Sequence, residues 1–236
     1  VAVAQVDATS YEIVMPADEV ECTFTNTRIE VELTLAKDWV NAVAGEAVDV
    51  TVTRGATEID VLTATAAGGT QTITDDTPVT AYAGETLTLA ETFAVPANGD
   101  NYTQTLACSG ADDIDLTDGE LTIAPGDEDI TCTFTNARIS NAVSLTKAWV
   151  NGADDDAVGL FIAGGSGATD GSSTVGGTTT DAEATALAGD TVTLTEAFTQ
   201  GGGNYDTSLA CTDGNDDPVA VAQVDATSYE IVMPAD

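Results

Sequence analysis

Apolar and polar residues alternate with period 2 along most of the chain. In 48–54, Val48, Val50 and Val52 alternate with Asp49, Thr51 and Thr53; in 130–135, Ile130, Cys132 and Phe134 alternate with Thr131, Thr133 and Thr135. Successive side chains of a strand point to opposite faces, so this pattern predicts half-buried strands. Threonine suits the outward face, because its branched Cβ fits a pleated surface. Gly-, Asn- and Asp-containing turns separate the runs, at 68–69, 98–100, 117–119 and 151–152. No segment keeps a helical period over three turns, so the pattern predicts an all-β chain.

The pattern also repeats. Residues 1–18 and 219–236 both read VAVAQVDATSYEIVMPAD, an offset of 218. A degenerate repeat lies inside that period: CTFTNTRI at Cys22 matches CTFTNARI at Cys132, and LAKDWVN around Lys37 matches LTKAWVN around Lys147. NYTQTLACS and NYDTSLACT end at equivalent places near Cys108 and Cys211. Fixed-period repeats mean a tandem array, here of units of about 100–110 residues, the size of a β-sandwich. The expected organisation is tandem Ig-like or transthyretin-like β-sandwich domains. Residues 1–27 are terminal strands that complete a preceding sandwich, 28–137 form the first sandwich, and 138–236 form a second that lacks its last strand. The chain begins at Val1 without an initiator Met, which reads as a processed product or a window on something longer. Strand 20–26 of one copy is expected to complete the second sandwich of the copy before it, either within one long polypeptide, which the identity of 1–18 and 219–236 favours, or between subunits that donate strands.

Three strands each carry one polar residue in an otherwise apolar face. Lys37 lies with Val31, Leu33, Leu35 and Trp39; Glu91 with Leu87, Leu89 and Phe93; Asn136 with Ile130, Cys132 and Phe134. In the second unit Lys147 and Glu196 repeat the first two, and Asn26 is the copy that belongs to the preceding domain. The chain has only two lysines, and both occupy this position. A buried, unpaired Lys or Glu costs several kcal/mol, so the three must be partners. One chemistry uses all of them. The Lys amine attacks the Asn side-chain carbonyl, ammonia leaves, and an isopeptide bond joins the first and last strands. Burial disfavours charge, so it favours a neutral, nucleophilic amine and a protonated carboxyl that polarises the carbonyl and passes protons. The alternative is a buried ion pair hydrogen-bonded to Asn, without a covalent bond.

The four cysteines fall into recurrent pairs: Cys108 with Cys132, and Cys211 with a Cys22-type residue of the next unit. No CxxC or ligand cluster points to zinc, and paired cysteines imply an oxidising, extracytoplasmic compartment. Free buried thiols are the alternative.

Charge changes the picture of partners. With 40 acidic and 5 basic residues the net charge is −35, which excludes nucleic-acid binding and an anionic membrane surface. No apolar run reaches the length of a membrane span. The absence of histidine removes His-based catalysis and the usual zinc and iron ligand sets. The expectation is that the chain is not an enzyme and needs no cofactor. Carboxylate clusters at 112–120, 127–129, 154–156 and 213–218 read as a solvated, self-repelling surface. Calcium held by Asp113, Asp115 and Asp118 is the alternative, although their spacing is not that of an EF-hand loop. Asn101-Tyr102-Thr103 fits an N-glycosylation sequon.

The stretches LTLAKDWVN, ETLTLAETFAVPANGDNY and ITCTFTNAR, with SLTKAWVNG and TVTLTEAF in the second unit, resemble CnaB domains. These are the collagen-adhesin B-type, prealbumin-like domains of bacterial surface proteins. The resemblance implies a stalk or backbone module of a pilus or adhesin, outside the cell or on its surface, many with a self-formed Lys–Asn bond and an acidic catalyst. The chain departs from Gram-positive pilins in its cysteines, in lacking a sorting signal, and in having no spare lysine for sortase. The expected function is a structural repeat of an extracellular filament whose partners are head-to-tail copies of itself. An adhesin binding an unknown ligand is the rival, favoured by loops that differ between units at 64–80 and 164–183.

Overall fold

The computed structural model describes residues 2–110 and 115–235. Strands dominate them, as the period-2 pattern requires. A small hairpin, β1 (Val3–Gln5) and β2 (Tyr11–Ile13), precedes a segment at 14–29 that carries no strand.

Unit one is a two-sheet sandwich. Its strands are β3 (Glu30–Ala42), β4 (Ala47–Arg54), β5 (Thr57–Thr65), β6 (Gly69–Thr74), β7 (Val79–Tyr82), β8 (Thr86–Phe93), β9 (Tyr102–Ser109), β10 (Asp115–Thr117), β11 (Glu120–Thr122) and β12 (Ile130–Arg138). One sheet runs β10-β11-β8-β4-β5; the other runs β6-β3-β12-β9, with β7 also on β3. Val48, Val50 and Val52, with Leu87 and Leu121 of the same sheet, share one buried cluster with Leu33 and Leu35 of the other, so the alternation marks the core. Asp118 and Gly119 join β10 to β11 with φ of 52° and 80°. Such a turn wants glycine, and a Cβ there would meet Leu89 O at 2.7 Å. A 3₁₀ turn at Pro96–Asn101, which strand periodicity does not reveal, leads into β9.

The first and last strands of unit one are parallel neighbours. β12 pairs with β3 in the register Cys132–Leu35, Phe134–Lys37 and Asn136–Trp39. Its other edge pairs antiparallel with β9, with Cys132 opposite Cys108. This central position of β12 brings the chemistry together.

Unit two repeats one sheet and half of the other. Its strands are β13 (Ser140–Leu145), β14 (Ala157–Ala163), β15 (Ser166–Thr169), β16 (Gly171–Thr174), β17 (Thr179–Thr180), β18 (Ala182–Leu187), β19 (Thr191–Gln200), β20 (Cys211–Thr212), β21 (Pro218–Val219), β22 (Val221–Gln223) and β23 (Ser228–Val232). The sheet β17-β16-β14-β19-β23-β22 parallels the β8 sheet of unit one, but the opposite sheet holds only β13-β18-β15. Residues 205–210, which align with β9, form no strand, and only β20 pairs, with β21.

Arg138 clamps the junction. Its side chain donates to Ala188 O at 2.8 Å and to Asp190 at 2.7 Å in unit two. Arg28 makes the matching contact on unit one, donating to Ala83 O at 3.0–3.1 Å, with Glu85 3.9 Å away.

Candidate functional site: a buried Lys–Glu–Asn trio

β3 places Lys37 between Leu35 and Trp39, on the face that packs into the sandwich. β8 carries Glu91 across from it, and β12 carries Asn136 two residues past the point where Phe134 sits opposite Lys37. Lys37 and Asn136 have no exposure, and the Glu91 side chain is 3% exposed.

The two nitrogens converge on one oxygen. Lys37 Nζ lies 3.1 Å from Glu91 Oε1, and Asn136 Nδ2 donates to the same atom at 3.1 Å. Nζ also donates to the carbonyls of Asp38 at 3.1 Å and Phe134 at 3.3 Å. It lies 4.6 Å from the centre of the Trp39 ring, which closes the site on one side. Burial pulls the amine down to about 8 from its usual 10.5, and the Glu91 carboxylate opposes that pull. Lys37 therefore gives up its proton more readily than an exposed lysine and becomes a largely uncharged nucleophile at mildly alkaline pH. Among the described residues, Asn136 Oδ1 and Glu91 Oε2 are buried without a donor. A buried oxygen left unpaired costs about 1–3 kcal/mol, so the trio is not a fully satisfied hydrogen-bond network.

The arrangement suits amide exchange. The amine must lose a proton as it attacks, and the departing nitrogen must gain one. Glu91 Oε1 touches both nitrogens, which is the position of a proton shuttle. Trp39 was legible as a core residue; its role as a wall of the site was not, although its place two residues after Lys37 was the signal.

In unit two the structure brings together Lys147 and Glu196 only. Lys147 Nζ lies 3.1 Å and 3.0 Å from the two Glu196 oxygens, 4.7 Å from the Trp149 ring and 5.8 Å from that of Phe198. These two side chains are 14% and 11% exposed, because no β12-like strand covers them. Asn26 sits in the strand-free segment before unit one and joins no site in this chain. Cys108 and Cys132 form a disulfide between β9 and β12, whereas Cys22, exposed, and Cys211, partly buried, are free.

Of the calcium candidates, Asp113 lies outside the described residues; Asp115 is on β10, and Asp118 is in the turn before β11. Among the described residues, no group of three or more potential metal ligands forms, and no helix is long and apolar enough to cross a membrane.

The profile of the prealbumin-like fold domain family matches residues 32–138 and 153–235. Those segments cover most of the chain and fall on the two units, so the chain belongs to this family. Searches of curated proteins and of solved structures found no match.

Proposed function

We propose that the protein is a structural repeat of an extracellular bacterial filament or surface stalk, assembled head to tail and not catalytic toward any external substrate. Each complete sandwich is locked twice, by a disulfide and by a Lys–Asn isopeptide bond. The observation that carries this reading is the buried trio, in which Glu91 Oε1 touches both the attacking and the departing nitrogen. Lys37 Nζ forms the new C–N bond to the Asn136 side-chain carbonyl carbon, the bond to Nδ2 breaks, and ammonia leaves. Because Lys37 is on the first strand and Asn136 on the last, tension applied along the unit then runs through a covalent tie. The family assignment and the disulfide that ties the other edge of β12 to β9 support a load-bearing role.

Intact mass of the reduced, full-length chain tests it. The wild type is expected one ammonia lighter than its sequence mass, and Glu91→Ala at the full mass. A wild type at full mass would leave a buried ion pair and overturn the isopeptide.

A further inference from the structure

Trp39 walls the Lys37 site, yet nothing polar fixes its ring. It is fully buried, and among the described residues its indole Nε1 has no acceptor. Its tilt is therefore set by the aromatic rings packed on it, Phe93 at 6.1 Å and Tyr102 at 5.7 Å, both edge-on. The Trp39 face in turn lies 4.6 Å from Lys37 Nζ.

Tyr102 has a polar anchor at its far end. It opens β9 and is 5% exposed; its hydroxyl donates to Glu46 Oε2 and accepts from the Val43 amide at 3.3 Å. Burial, and then the hydrogen bond to Glu46, push the phenol above its usual range, so at neutral pH it stays protonated and donates. Val43 and Glu46 follow Asn41, which turns the chain at the end of β3 with a left-handed φ of 57°. The ring is thus tied to the β3–β4 loop and braces the indole from there.

The same device is built twice. Tyr205 donates to Asp156 at 2.5 Å, accepts from the Ala153 amide at 3.0 Å, and lies edge-on to Trp149 at 5.3 Å. Asn151 repeats the left-handed turn with φ of 54°. Asn151, Ala153 and Asp156 each stand 110 residues after Asn41, Val43 and Glu46, since 151 − 41, 153 − 43 and 156 − 46 are all 110. The two residues between differ, Ala44-Gly45 against Asp154-Asp155. The units therefore share the grip of amide and carboxylate on the tyrosine, not the loop around it. They differ at one point: Trp149 Nε1 donates to Ser173 Oγ at 2.9 Å, so that indole has a hydrogen bond of its own.

We infer that Tyr102, gripped by Glu46 and the Val43 amide, is a positioning residue for isopeptide formation: it holds the Trp39 ring against Lys37 and thereby aims the amine at the Asn136 carbonyl carbon. This rests on the isopeptide reading above. Tyr102 acts through Trp39, and its hydroxyl takes no part in the bond made to Nζ or the bond broken to Nδ2. Tyr102→Phe keeps the ring and loses the grip. Glu46→Ala removes the acceptor, and Glu46→Asp supplies the carboxylate that unit two uses.

The test follows the Lys37–Asn136 cross-link in time after cell-free synthesis of the full chain is stopped. Proteolysis and mass spectrometry count only chains whose Cys108–Cys132 disulfide has closed, so that unfolded chains do not enter the rate. Tyr102→Phe and Glu46→Ala are expected to slow cross-linking roughly 10–100-fold, the effect of moving a reacting group by about 1 Å. Glu46→Asp is expected to stay near the wild-type rate. In the unreactive Asn136→Ala background, Tyr102→Phe is expected to speed hydrogen exchange of the Trp39 indole about tenfold, with the Trp149 indole and the β3 amides unchanged. Wild-type rates in Tyr102→Phe or Glu46→Ala would overturn the inference, as would unchanged Trp39 exchange. Glu46→Asp as slow as Glu46→Ala would overturn it too, because local packing rather than the grip would then set the rate. A wild type that never forms the cross-link sinks the isopeptide reading itself, and is told apart because it involves none of the variants.

Discussion

Met15 and Met233 occupy the same position in an identical 18-residue sequence, yet Met15 is 67% exposed and Met233 is 4% exposed. The difference is the neighbour. β23 lies on β19, with Ile231 opposite Val192 and Tyr229 opposite Leu194, whereas among the described residues β2 pairs only with β1. Local sequence forms the same hairpin in both places; burial comes from the sandwich it joins.

That pair yields a matched mutational experiment. Ile231→Ala removes a buried side chain and is expected to destabilise unit two by about 2–4 kcal/mol. Ile13→Ala makes the identical change in the hairpin without a sandwich and is expected to stay within about 0.5 kcal/mol. Chemical denaturation of both variants at a concentration that keeps the chain monomeric decides it. Equal effects would mean that β1–β2 is packed as β22–β23 is.

The disulfide should act on unit one alone. Cys108 and Cys132 close a loop with a separation of 24 residues, and restricting such a loop in the unfolded chain contributes about 3 kcal/mol. Reduction, or Cys108→Ala with Cys132→Ala, is expected to lower the stability of unit one by about that amount and to leave unit two unchanged. Tryptophan fluorescence follows each unit, because Trp39 and Trp149 report on unit one and unit two respectively. An unchanged midpoint for Trp39 counts against the staple.

Much of this was legible before any coordinates. The trio stood out because a polar residue in an apolar stripe is costly, so Lys37, Glu91 and Asn136 pointed at one another. Cys108 and Cys132 stood out because they recur with the same flanking motifs. The 3₁₀ turn at Pro96–Asn101 was not legible, since strand periodicity carries no signal for it. Nor was the extent of loss in unit two. Residues 205–210, which align with β9, form no strand. A strand is held by its neighbours' hydrogen bonds, so NYDTSLACT, which resembles the sequence of β9, stays without a ladder when no β12 lies beside it.

The last prediction concerns pH and the unreacted site. Asn136→Ala removes the carbonyl that Lys37 would attack, so the amine persists beside Glu91. Its pKa is about 8 in the fold and 10.5 when unfolded. Below pH 8 both states hold the proton, and folding carries the whole cost of a buried ammonium. Between 8 and 10.5 the unfolded chain holds more protons, so stability rises with pH; above 10.5 it is level. The rise is on the order of 3 kcal/mol, measured against Lys37→Met in the same Asn136→Ala background to remove other titrating groups. With two lysines in the chain, NMR of the side-chain amines separates Lys37 from Lys147 directly. A Lys37 midpoint near 8 in Asn136→Ala, and no Lys37 titration in the wild type, is the expected pair of results. A Lys37 midpoint near 10.5 would show that the fold does not lower the amine's pKa and leaves it a poor nucleophile.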